Sequence, residues 1–182
     1  MSTRRRYTAL LRGVNVGGGK KIAMADLRAA IERLGYEDVR TLLNSGNVVF
    51  SARDRSLQKI AAALEKTILS DLGVSTRVTV LDANEFAQIM EENPLLEYAD
   101  NPSRLHVAFF RDPTAGERLA AIAGEARPPD ILAIGTRAGY LWLPNGMSAS
   151  KLPLAIDKLL RDDVTVRTWG TVIKIRALLD AE

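Results

Sequence analysis

A chain of 182 residues with 47% hydrophobic and 26% charged content can bury a substantial core, as one large domain or two small ones. The absence of cysteine excludes disulfides, thiolate metal sites and a cysteine nucleophile, and is compatible with a reducing, cytoplasmic setting. A net charge of +3 is a mild basic bias, clustered only at Arg4, Arg5 and Arg6 and at Lys20 with Lys21, so it gives nucleic acid weak support as a partner.

No apolar stretch approaches the roughly 20 residues that span a bilayer. The run at residues 7–11 is too short for a signal-peptide core. The expectation is a soluble, cytoplasmic protein with no membrane partner.

Residues 7–12 (YTALLR) read as a strand, which the four glycines of residues 13–21 (GVNVGGGKK) cannot continue. Met24, Leu27, Ile31 and Leu34 then fall at helical spacing, with Gly35 as a stop. Residues 39–43 and 48–50 form β-favouring runs across Asn44, Ser45, Gly46 and Asn47, which predicts a hairpin. Leu57, Ile60, Leu64, Ile68 and Leu72 mark a long amphipathic helix ended by Gly73, and residues 76–81 return to strand character. Asp82 followed by Glu85 has the spacing of a capping box, predicting a further short helix.

Residues 93–103 hold two prolines and two asparagines and predict a boundary. After it the order repeats: a strand at 105–110, a helix at 114–124, and a hairpin from 131–134 with 140–143. A helix follows, capped by Ser150 with Pro153 in its first turn, then a strand at 164–168 and a terminal helix from Trp169. The reading is an α+β protein of two consecutive ferredoxin-like βαββαβ halves, each followed by a helix. The expected parts are 1–93, a connecting segment at 94–103, and 104–182. Leu10, Val48 and Val80 are expected in one core, and Val107, Leu141 and Val166 in the other.

The strings ALLRGVNVGGGKKIAMADLR, GYEDVRTLLNSGNVVF and RTWGTVIKI together resemble the bacterial domain of unknown function 1697 family. Its hallmarks are an ALLRGINVGG start, an SGNVVF hairpin and a late RNW-T-KL stretch. Val14 replaces the usual isoleucine, and Thr168 and Gly170 stand where asparagines are expected. The resemblance implies two ferredoxin-like parts and names no activity.

For chemistry, the loop Arg12, Gly13, Asn15, Gly17, Gly18, Gly19, Lys20, Lys21 is the most suggestive feature. Glycines between a strand and a helix let backbone amides converge on an anion, and the lysines supply charge. It is not a Walker A loop, because counting from Gly13 places Gly19 where the lysine is required, and the lysine that comes one position late is followed by Lys21 rather than by a hydroxyl residue. Three consecutive glycines also miss the dinucleotide pattern. A flexible turn is the plain alternative.

A βαββαβ sheet of order 4-1-3-2 brings the end of its first strand beside the turn between its second and third. Asn44, Ser45 and Asn47 are therefore expected next to the loop, as further donors or as simple turn residues. The leading expectation is a binding module for an anionic small molecule or nucleotide. RNA binding and an enzyme with a site between the halves are the alternatives, and the interleaved aromatics of an RNA-recognition strand are missing.

His106, the single histidine, lies among apolar residues of a strand and reads as structural. One histidine and no cysteine assemble neither a catalytic triad nor a histidine-rich metal site, and no cofactor is implied. Adjacent carboxylates such as Glu91 with Glu92 read as solvated faces or caps. Trp169 reads as packing and Lys174 as an exposed helix charge.

Overall fold

A computed structural model describes residues 4–53 and 56–181. It is an α+β protein with two four-stranded antiparallel sheets. The first sheet comprises β1 (Arg5–Leu11), β2 (Glu37–Leu42), β3 (Asn47–Ala52) and β4 (Val78–Asp82), with α1 (Met24–Arg33) and α2 (Leu57–Leu72) between them. A third helix, α3, spans Ala83–Glu91. The second sheet comprises β5 (Leu105–Phe110), β6 (Ile131–Ile134), β7 (Ala138–Trp142) and β8 (Val164–Thr168). Its helices are α4 (Ala115–Ala120) and α5 (Leu152–Leu160), and α6 (Trp169–Asp180) follows β8.

The sheet orders are β2-β3-β1-β4 and β6-β7-β5-β8, so corresponding strands occupy corresponding places. The chain divides into two compact units, Met1–Phe86 with Lys174–Glu182, and Ala87–Ile173.

In the first unit, strand periodicity decides which residues face the helices. Ala9 lies opposite Val48 on one side and Val80 on the other, and all three share the core with Tyr7, Leu11, Phe50 and Val78. Leu10 lies opposite Asn47 and Thr79 and points to the other face, where it is also buried. Leu10 is therefore not in one core with Val48 and Val80, as the sequence leads one to expect; the two-residue repeat of a strand separates them. α2 covers the helix side with Ile60, Leu64 and Ile68, each fully buried side chain contributing about 1.5–3 kcal/mol. Ser56 caps α2 by accepting from Lys59 N at 3.3 Å, and Gly73, at φ 68, closes it with a bond to Leu69 O.

The capping box at α3 is formed: Asp82 Oδ1 accepts from Asn84 N and Glu85 N at 2.9 Å, and Glu85 accepts from Asp82 N at 3.2 Å. The last stretch of α6 belongs to this unit. Arg6 Nη1 donates to Leu178 O and Leu179 O at 3.1 and 3.2 Å, satisfying carbonyls at the helix end. Arg176 donates to Ala83 O at 3.2 Å.

The second unit buries Ala108, Phe110, Leu141 and Val164 against Leu119, Leu152, Ile156 and Leu160. Val107, like Leu10, occupies the opposite sheet face from Leu141, again by strand alternation. α4 is shorter than the expected run at 114–124. It begins without a side-chain cap, ends at Ala120 and gives way to a single 3₁₀ turn at Ala123–Glu125. Tyr140 Oη donates to Ile89 O at 2.6 Å, tying β7 to α3.

Candidate functional site at the glycine-rich loop

After β1 the chain cannot continue as a strand because its backbone turns left-handed repeatedly: Gly13 at φ 65, Asn15 at 55, Gly17 at 60 and Gly18 at 78. Two internal bonds close the loop, Asn15 N to Lys20 O at 2.7 Å and Gly19 N to Val16 O at 3.2 Å. Val14 is buried and forms its base.

The loop meets the β2–β3 turn as expected from strand order. Leu11 N donates to Gly46 O at 2.8 Å, and Asn15 Nδ2 donates to Asn44 O at 2.7 Å. Asn15 also exchanges bonds with the residue before α1, donating to Ile22 O and accepting from Ile22 N, both at 2.9 Å. Its amide therefore fastens the loop to the turn on one side and to the helix entry on the other.

Asn47 is fully buried and donates to Leu42 O at 2.9 Å and Ser45 Oγ at 3.0 Å. Both asparagines thus shape the edge through bonds inside it. Gly46 lies against Val14 and Leu11, leaving no room for a Cβ.

What remains open to solvent is narrower than the full set of residues that the sequence singles out. Lys20, Lys21, Gly17, Gly18, Gly19 and Asn44 are exposed. Among the described residues the two lysines have no ion-pair partner, and the amides of Gly17 and Gly18 make no backbone hydrogen bond. Arg12 is half-buried, and its main chain is held by Arg77 O at 3.0 Å and by the Thr76 hydroxyl at 2.8 Å.

An open concavity of about 410 Å³ lies between loop and helix, lined by Asn15, Gly18, Gly19, Lys21, Asn44 and the entry to α1 at Ile22, Ala23 and Met24. That entry was not singled out in the sequence. Ala23 provides no side-chain cap, so the first-turn amides of α1 are left without a local oxygen acceptor. The one acidic group in that turn is Asp26. The arrangement offers amide donors, a helix N-terminus and ammonium groups on one side and an apolar wall on the other.

The corresponding edge of the second unit has the same backbone scaffold. Phe110 N donates to Arg137 O at 3.0 Å and Arg111 N to Asp163 O at 2.8 Å, as Leu11 N does to Gly46 O and Arg12 N to Arg77 O. No glycine loop follows there; Asp112 Oδ1 instead accepts from Thr114 N at 2.9 Å in a tight turn.

His106 is buried, with Nδ1 3.0 Å from Arg104 O, and burial holds it below the ordinary histidine value. Glu92 accepts from Thr136 N and Thr136 Oγ1 at 3.1 Å and from Gln88 at 2.9 Å, so it anchors the β6–β7 turn. Trp169 is buried and Lys174 exposed. The aromatics of the first sheet, Tyr7 and Phe50, stack at 5.8 Å inside the core, and Tyr36 stacks on Phe50 at 5.0 Å. Tyr7 and Phe50 are buried and Tyr36 is half-buried, so Tyr7 and Phe50 offer no platform of the kind that single-stranded RNA uses. Among the described residues no group of three or more histidines or carboxylates is placed to hold a metal, and no helix is long and apolar enough to cross a membrane.

Fold and loop together define an α+β protein of two antiparallel four-stranded sheets whose first unit carries a glycine-rich crossover. The chain belongs to the family described as Protein of unknown function (DUF1697), which matches residues 4–140. A conserved bacterial protein from Streptococcus pneumoniae has a similar solved structure, with a TM-score of 0.77 and 24% identity. The match covers 98% of this chain and 100% of that one, and it shows a shared fold. Comparison with curated proteins finds no match.

Proposed function

We propose that the edge built from residues 13–21 and 44–47 binds an anionic small molecule, with phosphate-bearing metabolites and nucleotides as the class. The observation that carries this reading is the concavity where Lys21, the glycine backbone and the uncapped start of α1 meet. Lys20 and Lys21 attract the anion, the amides of Gly17 and Gly18 and of the first turn of α1 receive it, and Asn15 with Asn47 keeps the cradle in shape. Asp26 opposes this charge, and two lysines outweigh it. We read the matching strand orders, ferredoxin-like in each half, as an internal duplication of which only the first copy carries the loop.

The test is an NMR titration with inorganic phosphate and with AMP. Shifts should concentrate at Gly17, Gly18, Lys21 and Met24, and should weaken in the double variant Lys20→Ala, Lys21→Ala while its fold is retained. Because exposed charges act through screened attraction, added salt should weaken the wild type more than the variant. Shifts confined to other regions, or none at millimolar ligand, would reduce the loop to a structural connection.

A further inference from the structure

Two of the outer strands, β2 and β6, guard their unpaired backbone differently. β2 carries Glu37, Asp38 and Arg40, and its pairing register shifts between Glu37 and Arg40, where Asp38 sits at φ 53. Charge and a bulge are the usual defences against edge-to-edge pairing. β6, in the corresponding place, is Ile131-Leu132-Ala133-Ile134: regular, uncharged and free of proline. Its side chains are only partly covered, and Ile134 is 36% exposed.

The direction of its backbone groups follows from the hairpin. Gly135 N donates to Ala138 O at 2.8 Å, which makes residues 135 and 138 a hydrogen-bonded pair. Alternation along an antiparallel ladder then makes Ile134 with Gly139, and Leu132 with Leu141, non-hydrogen-bonded pairs. The N–H and C=O groups of Leu132 and Ile134 therefore face away from β7. Among the described residues no backbone hydrogen bond from another segment reaches them.

We infer that β6 is a self-association edge, pairing antiparallel with β6 of a second copy of this chain. One register satisfies all the outward groups, with Leu132 of each copy opposite Ile134 of the other and the two-fold axis at Ala133, giving about four backbone hydrogen bonds. At that axis the two chains approach to about 4.5 Å between Cα atoms, and alanine is the smallest side chain of the strand.

The same register sets Asp130 opposite Thr136 of the second copy at both ends of the paired segment. A two-fold pairing of one edge with itself closes at two copies and gives a continuous eight-stranded sheet rather than a filament. Four residues per strand bury less than the roughly 1,200 Å² of a standard interface, so the dimer is weak and reversible. Nothing in this inference depends on the anion site.

Sedimentation velocity of the full chain from about 10 μM to about 1 mM covers the range expected for such a contact. The average mass should rise towards that of a dimer. Ile134→Pro removes an outward N–H without touching a bond to β7, since proline is tolerated where an edge strand's N–H faces away from its sheet. With an unchanged circular dichroism spectrum, this variant should lose association by about tenfold or more. Should it unfold, Ile134→Lys, which keeps the N–H and places like charges across the axis, is read in its place with the same expectation. A wild type that stays monomeric to the highest concentration, leaving the edge to an extended peptide of another protein, overturns the inference. So does association that survives both substitutions.

Discussion

Asn15 donates its side-chain amide to the main-chain oxygen of Asn44, 29 residues away, at 2.7 Å, and thereby joins the crossover loop to the hairpin turn. The same side chain bonds Ile22 twice and sits at φ 55, a conformation asparagine adopts more readily than most residues. Asn15→Ala should destabilise the protein by about 2–3 kcal/mol, from three lost hydrogen bonds and a poorer left-handed residue. Urea denaturation measures this. Asn15→Asp should also lose stability, because a carboxylate cannot donate to the oxygens of Ile22 and Asn44. An unchanged midpoint in both variants would show that the loop needs no fastening.

Gly46 tests the turn from the other side. A Cβ built there would lie 2.6 Å from Val14 Cγ2 and 2.8 Å from Leu11 Cβ, and the residue stands at φ 79. Both neighbours are buried and cannot withdraw. Gly46→Ala should cost about 2–4 kcal/mol, well above the effect of the same change at Gly13, whose Cβ would meet nothing within 4 Å. Equal losses at the two positions would contradict this packing.

Glu92 and His106 should leave separate marks on the pH dependence of stability. Hydrogen bonds from Thr136, the backbone one foremost, hold the Glu92 carboxyl below the ordinary glutamate value. Its contribution is therefore present above the unfolded value and is lost as pH falls through the lowered one. Glu92→Gln should flatten the fall in stability between about pH 5 and pH 3, at a cost near neutrality on the order of 0.5–1 kcal/mol for a solvent-accessible interaction.

For His106, burial favours the neutral ring and lowers its value. Folding then binds fewer protons than the unfolded chain, so stability should begin to fall as pH drops below about 6.5. His106→Gln should remove that slope and leave the one at lower pH intact. Because its Nδ1 faces a carbonyl inside the fold, the same substitution should change any activity that is found by less than about tenfold. A larger loss would make His106 a working base.

The sequence made some of this legible and hid the rest for physical reasons. The Asp82 and Glu85 cap, the long apolar stripe of α2 and the strand at 164–168 are local patterns, and each lies where periodicity or cap spacing puts it. β2 begins earlier than expected, at Glu37. Its first residues are charged and bulged, and pairing with Ser51 rather than local propensity makes them a strand. At the candidate site, adjacency of loop and turn followed from strand order alone. The inward use of Asn15 and Asn47 did not, because their partners depend on φ values and distances that no residue type announces. The entry to α1 is not legible in the sequence because Ala23 carries no capping signal, and that lack is what makes it available.

Arg6 reaches the main-chain oxygens of Leu178 and Leu179 across 172 and 173 residues of sequence. During synthesis the strands and helices of the first unit leave the ribosome long before those carbonyls exist. Arg6 of β1 must wait for these acceptors while the whole second unit is translated. At about 5–20 residues per second that interval lasts on the order of ten seconds, long compared with helix and hairpin formation. Residues 174–181 thus act as a late latch, and a nascent chain stalled before them should display its first unit in a looser, more protease-sensitive form than the released protein.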